Sequence, residues 1–344
     1  MNFSFSEDAL ALRDGTRAFL EGRNPVERLR VLVDGGDGLA LWSELAEMGL
    51  LGAAAPEARG GMGLSMVELV LLCEQAGRVC LPEPYSETAA VLVPLLADIG
   101  SGAGERLDEV IAGSRRIVLS HGANPFVNFA EGADGVVVVE SAAVHWLDAA
   151  QASVEPRPTI DPLRRLSKLR PGMGSELASG PRANELATDA FARGAVAVAA
   201  ELCGLTERMI ELAVDYARTR EQFGRAIGSF QAVKHLLADA RVALDFARPV
   251  VYRAAAVVGQ RDPRRDVVVA HAKLAASDAA IEAAERAIQV FGGMGYTFEA
   301  DLHFFMKRAW ALTGLWGDRE AHLATLDDAV LGGRFPPGPG STFE

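Results

Sequence analysis

The sequence predicts a mainly α protein with a small β region in its middle. Three observations carry this. Apolar residues recur at i, i+3 and i+4 on both sides of the centre of the chain. Between those stretches lie short valine-rich runs broken by Gly, Asp and Pro. Ala, Leu and Val dominate a hydrophobic fraction of 49%, and aromatic content is only 7%, which suits closely packed helices. The expected layout is an N-terminal helical domain over 1–112, a reduced β middle domain and linker over 113–188, a C-terminal four-helix bundle over 189–331, and a disordered tail over 332–344.

Each element has a local reason. Ser6 is placed to cap a first helix, because its hydroxyl can accept from orphan amides. Leu41, Trp42, Leu45, Met48 and Leu50 fall at helical spacing before Gly52. The run Pro56 to Leu64 is turn-rich, and a long apolar helix is expected from about Met66 to Val79, ended by Pro82 and Pro84. Another helix is expected near Ser86. Residues 116–119, 135–139 and 143–147 read as short strands, and proline density rises at Pro156, Pro158, Pro162, Pro171 and Pro181. From about Asn184 the helical period returns. Leu202, Leu205, Met209, Leu212, Ala213 and Tyr216 share one face, then Val233, Leu236, Leu237, Ala240, Leu244, Ala247 and Val251 share another. An alanine-rich helix is expected from about Asp266 to Val290 and a fourth from about Phe298, interrupted near Gly317. Long helices with apolar stripes and short connections make an antiparallel bundle.

Length and charge narrow the function classes. A chain of 344 residues can hold two or three domains. Its formal net charge of -12 argues against a nucleic-acid binder, which needs a basic face. Cys73, Cys80 and Cys203 make an odd set without regular spacing, so buried free thiols are expected rather than a disulfide framework or a metal site. The acidic start lacks a signal-type apolar core, and no apolar run approaches the ~18 residues that span a bilayer. The expectation is a cytoplasmic protein with neither a membrane nor a nucleic-acid partner.

Two glycine-punctuated helix ends stand out. In Tyr216-Ala-Arg-Thr-Arg-Glu-Gln-Phe-Gly-Arg225, followed by Phe230-Gln231, a basic residue and Gly224 fit an ordinary helix C-terminus with a left-handed cap. They equally fit a diphosphate site, because a guanidinium fork pairs with phosphate oxygens. Gln289-Val-Phe-Gly-Gly-Met-Gly-Tyr296 again fits a glycine cap, or a place where backbone approaches a nucleotide closely. It is not a dinucleotide fingerprint, since no strand precedes it, and Gly60-Gly-Met-Gly63 fails likewise. The six histidines form no HExxH or close pair, and no GxSxG elbow occurs, so metal and hydrolase chemistry are unsupported.

These segments, with Trp42-Ser-Glu-Leu-Ala-Glu-Met-Gly-Leu50, Pro56-Glu-Ala-Arg-Gly-Gly-Met-Gly-Leu-Ser65 and Glu74-Gln-Ala-Gly-Arg78, resemble the acyl-CoA dehydrogenase family over most of the chain. Five motifs in the right order are specific. The resemblance implies a helical domain, a β middle domain and a helical bundle, with FAD as cofactor and an acyl-CoA thioester as substrate. A glutamate of the family removes the α-proton and the β-hydrogen leaves as hydride to the flavin. It also implies that Arg220, Gln222, Phe223, Gln231, Gln289, Gly292 and Gly293 resemble contacts made to the FAD of a neighbouring subunit.

The chain departs from the family where its own flavin ring and thioester would sit. The family's Thr-Glu-Pro-x-(Ala)-Gly-Ser-Asp segment is replaced by Leu119-Ser-His-Gly-Ala-Asn-Pro-Phe126. The Tyr-Glu-Gly-Thr turn carrying the base is matched by Leu315-Trp-Gly-Asp-Arg319, with Gly317 in the glutamate's place and Asp318 one residue off, the sole candidate. Other members place the base on the first bundle helix. Ala192-Arg-Gly-Ala195 matches there without a carboxylate, and Glu201 is expected to face elsewhere. The resemblance therefore implies a non-catalytic subunit of a heteromeric dehydrogenase, α2β2, paired with a full-length paralogue. Actinobacterial steroid side-chain enzymes of this kind suggest a bulky acyl-CoA, with electrons leaving to a separate acceptor. The alternatives are a self-sufficient homo-oligomeric dehydrogenase and a flavin-free scaffold or binding protein.

Overall fold

The computed structural model describes residues 4–36, 38–260, 262, 264–335 and 338. The tail residues 336–337 and 339–344 lie outside the described residues. The chain is mainly α with a small β layer, as the patterns require. The N-terminal part is built from α1 (Glu7–Arg23), α2 (Val26–Val33), α3 (Trp42–Glu47), α4 (Met66–Arg78), α5 (Tyr85–Glu87), α6 (Val93–Ile99) and α7 (Gly104–Ile111). Ser6 caps α1 by accepting from the Ala9 amide at 3.1 Å. Ser65 and Glu68 form a reciprocal capping box on α4, satisfying two of its orphan donors. Between α5 and α6, Thr88–Leu92 winds as a π-helix. Pro94 lacks the N–H that would close the next α-helical ring, so the wider winding has a local cause.

The β layer holds seven strands. The sequence marked three, which became β1 (Ile117–His121), β3 (Gly135–Val139) and β4 (Ala143–Asp148). It missed β2 (Val127–Asn128), β5 (Ala152–Pro156), β6 (Leu166–Pro171) and β7 (Ser175–Ser179), which are short, polar or proline-ended. One sheet has the order β1-β3-β4-β7, with β1 parallel to β3 and the other pairs antiparallel. The other is antiparallel in the order β2-β6-β5. A small core including Val118, Val136, Val138 and Leu147 forms between them.

The chain returns to helix at Gly180, ahead of the Asn184 expected. The bundle comprises α8 (Gly180–Thr219), α9 (Gln231–Val257), α10 (Arg265–Phe291), α11 (Leu302–Thr313) and α12 (Arg319–Leu331). Between α8 and α9, β8 (Glu221–Gln222) pairs with β9 (Arg225–Ala226). The main core runs unbroken from the N-terminal helices into the bundle. Its tightest point is the crossing of α4 and α8. A Cβ on Gly77 would lie 2.0 Å from the Glu201 carbonyl oxygen, and one on Gly204 would lie 1.9 Å from that of Glu74. The two backbones therefore touch, which only glycine permits. All three cysteines are buried and free, as expected. Among the described residues no helix is long and apolar enough to cross a membrane.

Candidate functional site

The two glycine-punctuated segments meet at one end of the bundle. Tyr216, in the last turn of α8, stacks on Phe291, the last residue of α10, with ring centroids 4.3 Å apart and planes 11° off parallel. That stack joins the two motifs across the bundle. It places Arg220, Gln222 and Phe223 on the same end as Gln289, Gly292 and Gly293, and all six are exposed.

Gly224 is not the helix cap that its position suggested. α8 ends at Thr219, and Glu221–Ala226 is a hairpin whose pairs are Glu221 with Ala226 and Gln222 with Arg225. A two-residue hairpin turn that follows the strand twist needs φ > 0 at both central positions. Phe223 has φ 54° and Gly224 has φ 77°. The turn thrusts Phe223 into solvent, 92% exposed. Its ring meets Phe230 edge-on at 6.0 Å, and the Arg225 guanidinium lies 4.1 Å over the Phe230 ring. Gln222 donates Nε2–H to the Glu221 carbonyl at 2.7 Å, and Gln231 opens α9, exposed.

Two features of this end have no purpose inside the chain. Arg220 makes no ion pair among the described residues, although 28 such pairs occur elsewhere. Gly293 lies outside the left-handed region, and a Cβ there would meet nothing within 4 Å. Gly292 has φ 58° and equally open space. A free guanidinium beside uncovered backbone suits an anionic, planar molecule brought from outside. This end therefore fits part of an FAD: Arg220 and Gln222 at the diphosphate, Phe223 against a ring, and Gly292 and Gly293 under close backbone approach.

The two places where the family carries its base hold no carboxylate in this chain. Trp316 is 1% exposed and has φ 56°, a strained conformation for so large a residue. Its indole is pressed onto Gly194, where a Cβ would lie 2.2 Å from Cδ2. Gly194 and Gly317, at or within the two places the family uses for its base, thus flank one tryptophan. The loop after β1 holds it there. Asn124 Oδ1 accepts from the Trp316 amide at 2.8 Å, the His121 ring lies 4.9 Å from the indole, and the Trp316 carbonyl lies 3.0 Å from His322 Nε2. Burial keeps His121 and His322 on the neutral side of their usual range. Asp318 is exposed, and its carboxylate caps α12 by accepting from the Ala321 amide at 2.9 Å. It borders a groove with Lys273 and His322, away from the Gly194 face of Trp316.

Beside Trp316 lies a small cavity of about 50 Å³, bordered by several charged side chains, that sequence reasoning missed. It is lined by Tyr85, Ser86, Glu87, Arg164, Glu201 and Arg308 among others. Glu201, expected to face elsewhere, turns into it, because α8 presents that face to α5 and α11. Arg308 forms a buried pair with Asp161, lies 3.6 Å from Glu201 and donates to the Leu81 carbonyl at 2.8 Å. Burial raises the Glu87 carboxyl to about 7, with Arg164 lowering it and Glu201 raising it further. Glu87 is half-buried and borders the cavity. Tyr85 Oη, Asn128 Oδ1 and Arg308 Nη2 belong to residues that line it and have no hydrogen-bond partner among the described residues. The available signal was charge inside apolar helical runs, Glu87 before Thr88–Leu96 and Arg308 after Phe304–Met306, where a charge persists only for a reason.

A helical layer, a small β layer and a C-terminal helical bundle define the architecture of an acyl-CoA dehydrogenase. The family models described as acyl-CoA dehydrogenase, N-terminal domain, and acyl-CoA dehydrogenase, C-terminal domain, match residues 6–104 and 184–331. The chain belongs to the acyl-CoA dehydrogenase family, whose members are FAD-dependent. It is 36% identical over 307 residues to the acyl-CoA dehydrogenase IpdE2 of Mycobacterium tuberculosis, covering 88% of this chain and 90% of that one. Among solved structures it is similar to a variant of the Tcur3481-Tcur3483 steroid ACAD, at TM-score 0.83 and 26% identity, over 95% of this chain and 99% of that one. It is also similar to a chain of the ChsE4-ChsE5 complex from Mycobacterium tuberculosis, at TM-score 0.84 and 25% identity, over 98% and 100%.

Proposed function

We propose that this chain is one subunit of a heteromeric, FAD-dependent acyl-CoA dehydrogenase and grips a flavin nucleotide held mainly by a full-length catalytic paralogue. The carrying observation is the bundle end: an unpaired Arg220, a Phe223 turned out to solvent and an uncovered Gly292-Gly293 backbone, all facing away from the chain. Arg220 and Gln222 bind diphosphate oxygens, Phe223 packs on an aromatic ring, and Gln289 with the two glycines lines the approach. The flavin, when bound, accepts the hydride from the β-carbon of an acyl thioester.

The α-proton must go to a carboxylate within hydrogen-bond reach. Gly317 and the run Ala192-Arg-Gly-Ala195 offer no carboxylate in this chain, and Trp316 is packed on Gly194 between them, so we assign the base to the partner. A self-sufficient dehydrogenase would need room for an acyl chain beside Glu87 or Glu201, and a cavity of about 50 Å³ is too small for one. The similarity to a two-chain complex and to a steroid ACAD supports an α2β2 assembly acting on a bulky, steroid-like acyl-CoA, with a separate electron acceptor.

Co-purification with a full-length paralogue, followed by an absorption spectrum, tests this reading. The pair is expected to be yellow and to reduce a dye with acyl-CoA, and the lone chain to be colourless. A lone chain that carries flavin and turns over acyl-CoA would overturn it. A pair that forms without flavin would instead favour a scaffold role.

A further inference from the structure

The small cavity gathers charge from four parts of the chain: Glu83 and Glu87 around α5, Arg164 ahead of β6, Glu201 on α8 and Arg308 on α11. Their pairing is unequal. Glu83 pairs with Arg28, and Arg308 pairs with Asp161 and lies 3.6 Å from Glu201. Arg164 is 6% exposed and makes no ion pair among the described residues. Its side chain reaches only the Ala311 carbonyl, at 3.5 Å. Glu87 makes no ion pair there either. Both line the cavity, and they do not pair with each other. A buried guanidinium without a counter-ion is costly, so its persistence calls for a reason.

The hydrogen-bonding groups narrow that reason. Tyr85 Oη and Arg308 Nη2, in side chains of residues 1% and 3% exposed, have no partner among the described residues. A guanidinium can only donate, a phenol can donate, and so can a carboxyl that holds its proton, as Glu87 does below about pH 7. Against them stands the Asn128 Oδ1 acceptor. A ligand rich in acceptors answers this set. At about 50 Å³ the space takes roughly four waters, or a ligand of about that many non-hydrogen atoms. Val91, Ala197, Val198 and Leu312 also line it, so one end of that ligand can be a methyl.

We propose that this cavity binds a free carboxylate of the size of acetate, whose oxygens accept from Arg164, Arg308 and Tyr85 while its methyl meets the apolar lining. A guanidinium fork matches the two coplanar oxygens of such a group. Glu87 gates the site: protonated, it donates to the ligand, and ionised, it repels the ligand and competes for Arg164. Glu83, Asp161 and Glu201 each lie beside another cation, which leaves Arg164 to the ligand. The site uses neither flavin nor a second subunit, so it stands apart from the heteromeric reading.

The test follows thermal unfolding of the full chain in sodium acetate, with sodium chloride at equal ionic strength as the control. Acetate is expected to raise the Tm above the chloride value and to saturate. At ten times its Kd it multiplies the folded-to-unfolded ratio about 11-fold. Arg164→Met is expected to abolish the difference. If that variant does not fold, Tyr85→Phe removes only the unbonded hydroxyl and is expected to weaken acetate about 2- to 12-fold. Burial holds the Glu87 carboxyl at about 7, so a ligand of the protonated form should bind about 10-fold more weakly at pH 8 than at pH 6. In Glu87→Gln the two values should agree. No acetate effect beyond chloride, or one that the folded variant keeps in full, would mean that water alone meets these groups, and the proposal would fall. A wild-type Kd that does not change with pH would likewise overturn the arrangement around Glu87.

Discussion

Replacing Arg220 with Ala separates a nucleotide contact from a helix terminus. The side chain is exposed and has no ion-pair partner within the described residues, so its loss removes nothing the fold uses. Only its backbone is committed, donating to the Tyr216 carbonyl at 2.8 Å and accepting from the Ile227 amide at 2.8 Å, and Ala keeps both bonds. The isolated chain should therefore change by no more than about 0.5 kcal/mol, the range of plain surface substitutions. A hydrogen bond to a charged group contributes about 1.5–3 kcal/mol. At about 1.4 kcal/mol per tenfold, FAD should bind the complex about 10- to 150-fold more weakly. The assay is flavin retained per pair after gel filtration, beside the Tm of the lone chain. Unchanged flavin content together with a lower Tm would show that the arginine serves only the helix end, and the proposed nucleotide grip would be wrong.

Gly293→Ala makes the same point from the backbone: the added methyl meets nothing in the chain, so stability should hold while the pair loses flavin. Gly204→Ala is expected to act oppositely, on the fold. Helix propensity gains about 1 kcal/mol, but a methyl 1.9 Å from the Glu74 carbonyl forces α4 and α8 apart by more than 1 Å. A net loss of about 2–3 kcal/mol, or about 3–4 °C in Tm for a chain of 344 residues, should follow, and a stabilised variant would refute the close crossing. Glu87→Gln tests the cavity. A carboxyl raised to about 7 holds a proton that the unfolded chain releases near 4.5, so its stabilisation is full below the lower value and falls as pH rises through 7. The variant should gain on wild type as pH rises from 5 to 8, at up to about 1.4 kcal/mol per unit, and parallel Tm–pH curves would show that Glu87 is an ordinary carboxylate.

Helix faces and glycine-marked ends were legible because they depend on local spacing. The Met66–Arg78 helix and the Ser6 cap of α1 follow from residues within one turn of each other. So does the pairing of functional residue types in 220–224 and 289–293. What joins those segments is a contact between Tyr216 and Phe291, and nothing in either stretch announces the other. The hairpin at Phe223-Gly224 was hidden for a different reason: a glycine after a helix supports a cap or a turn equally, and tertiary pairing decided. The strands β5, β6 and β7 carry charges and prolines because they border solvent, so their period is weak. Trp316 lies in the run matched to the family's base turn, and only its neighbours Gly194, Asn124 and His322 show how it is buried and held. The Glu87 and Arg308 cluster gathers residues more than two hundred positions apart, which no local pattern encodes.

The bare contact at Gly77 and Gly204 has a mechanical consequence. With no side chains between them to slide or re-pack, α4 and α8 are welded, and the helical layer cannot pivot on the bundle without breaking backbone packing. The β layer is held to the same body by side chains instead: Asp161 pairs with the buried Arg308 of α11, and Leu119, Val137 and Trp146 sit in the main core. The end of α8 that carries Arg220 is therefore fixed to one continuously packed body.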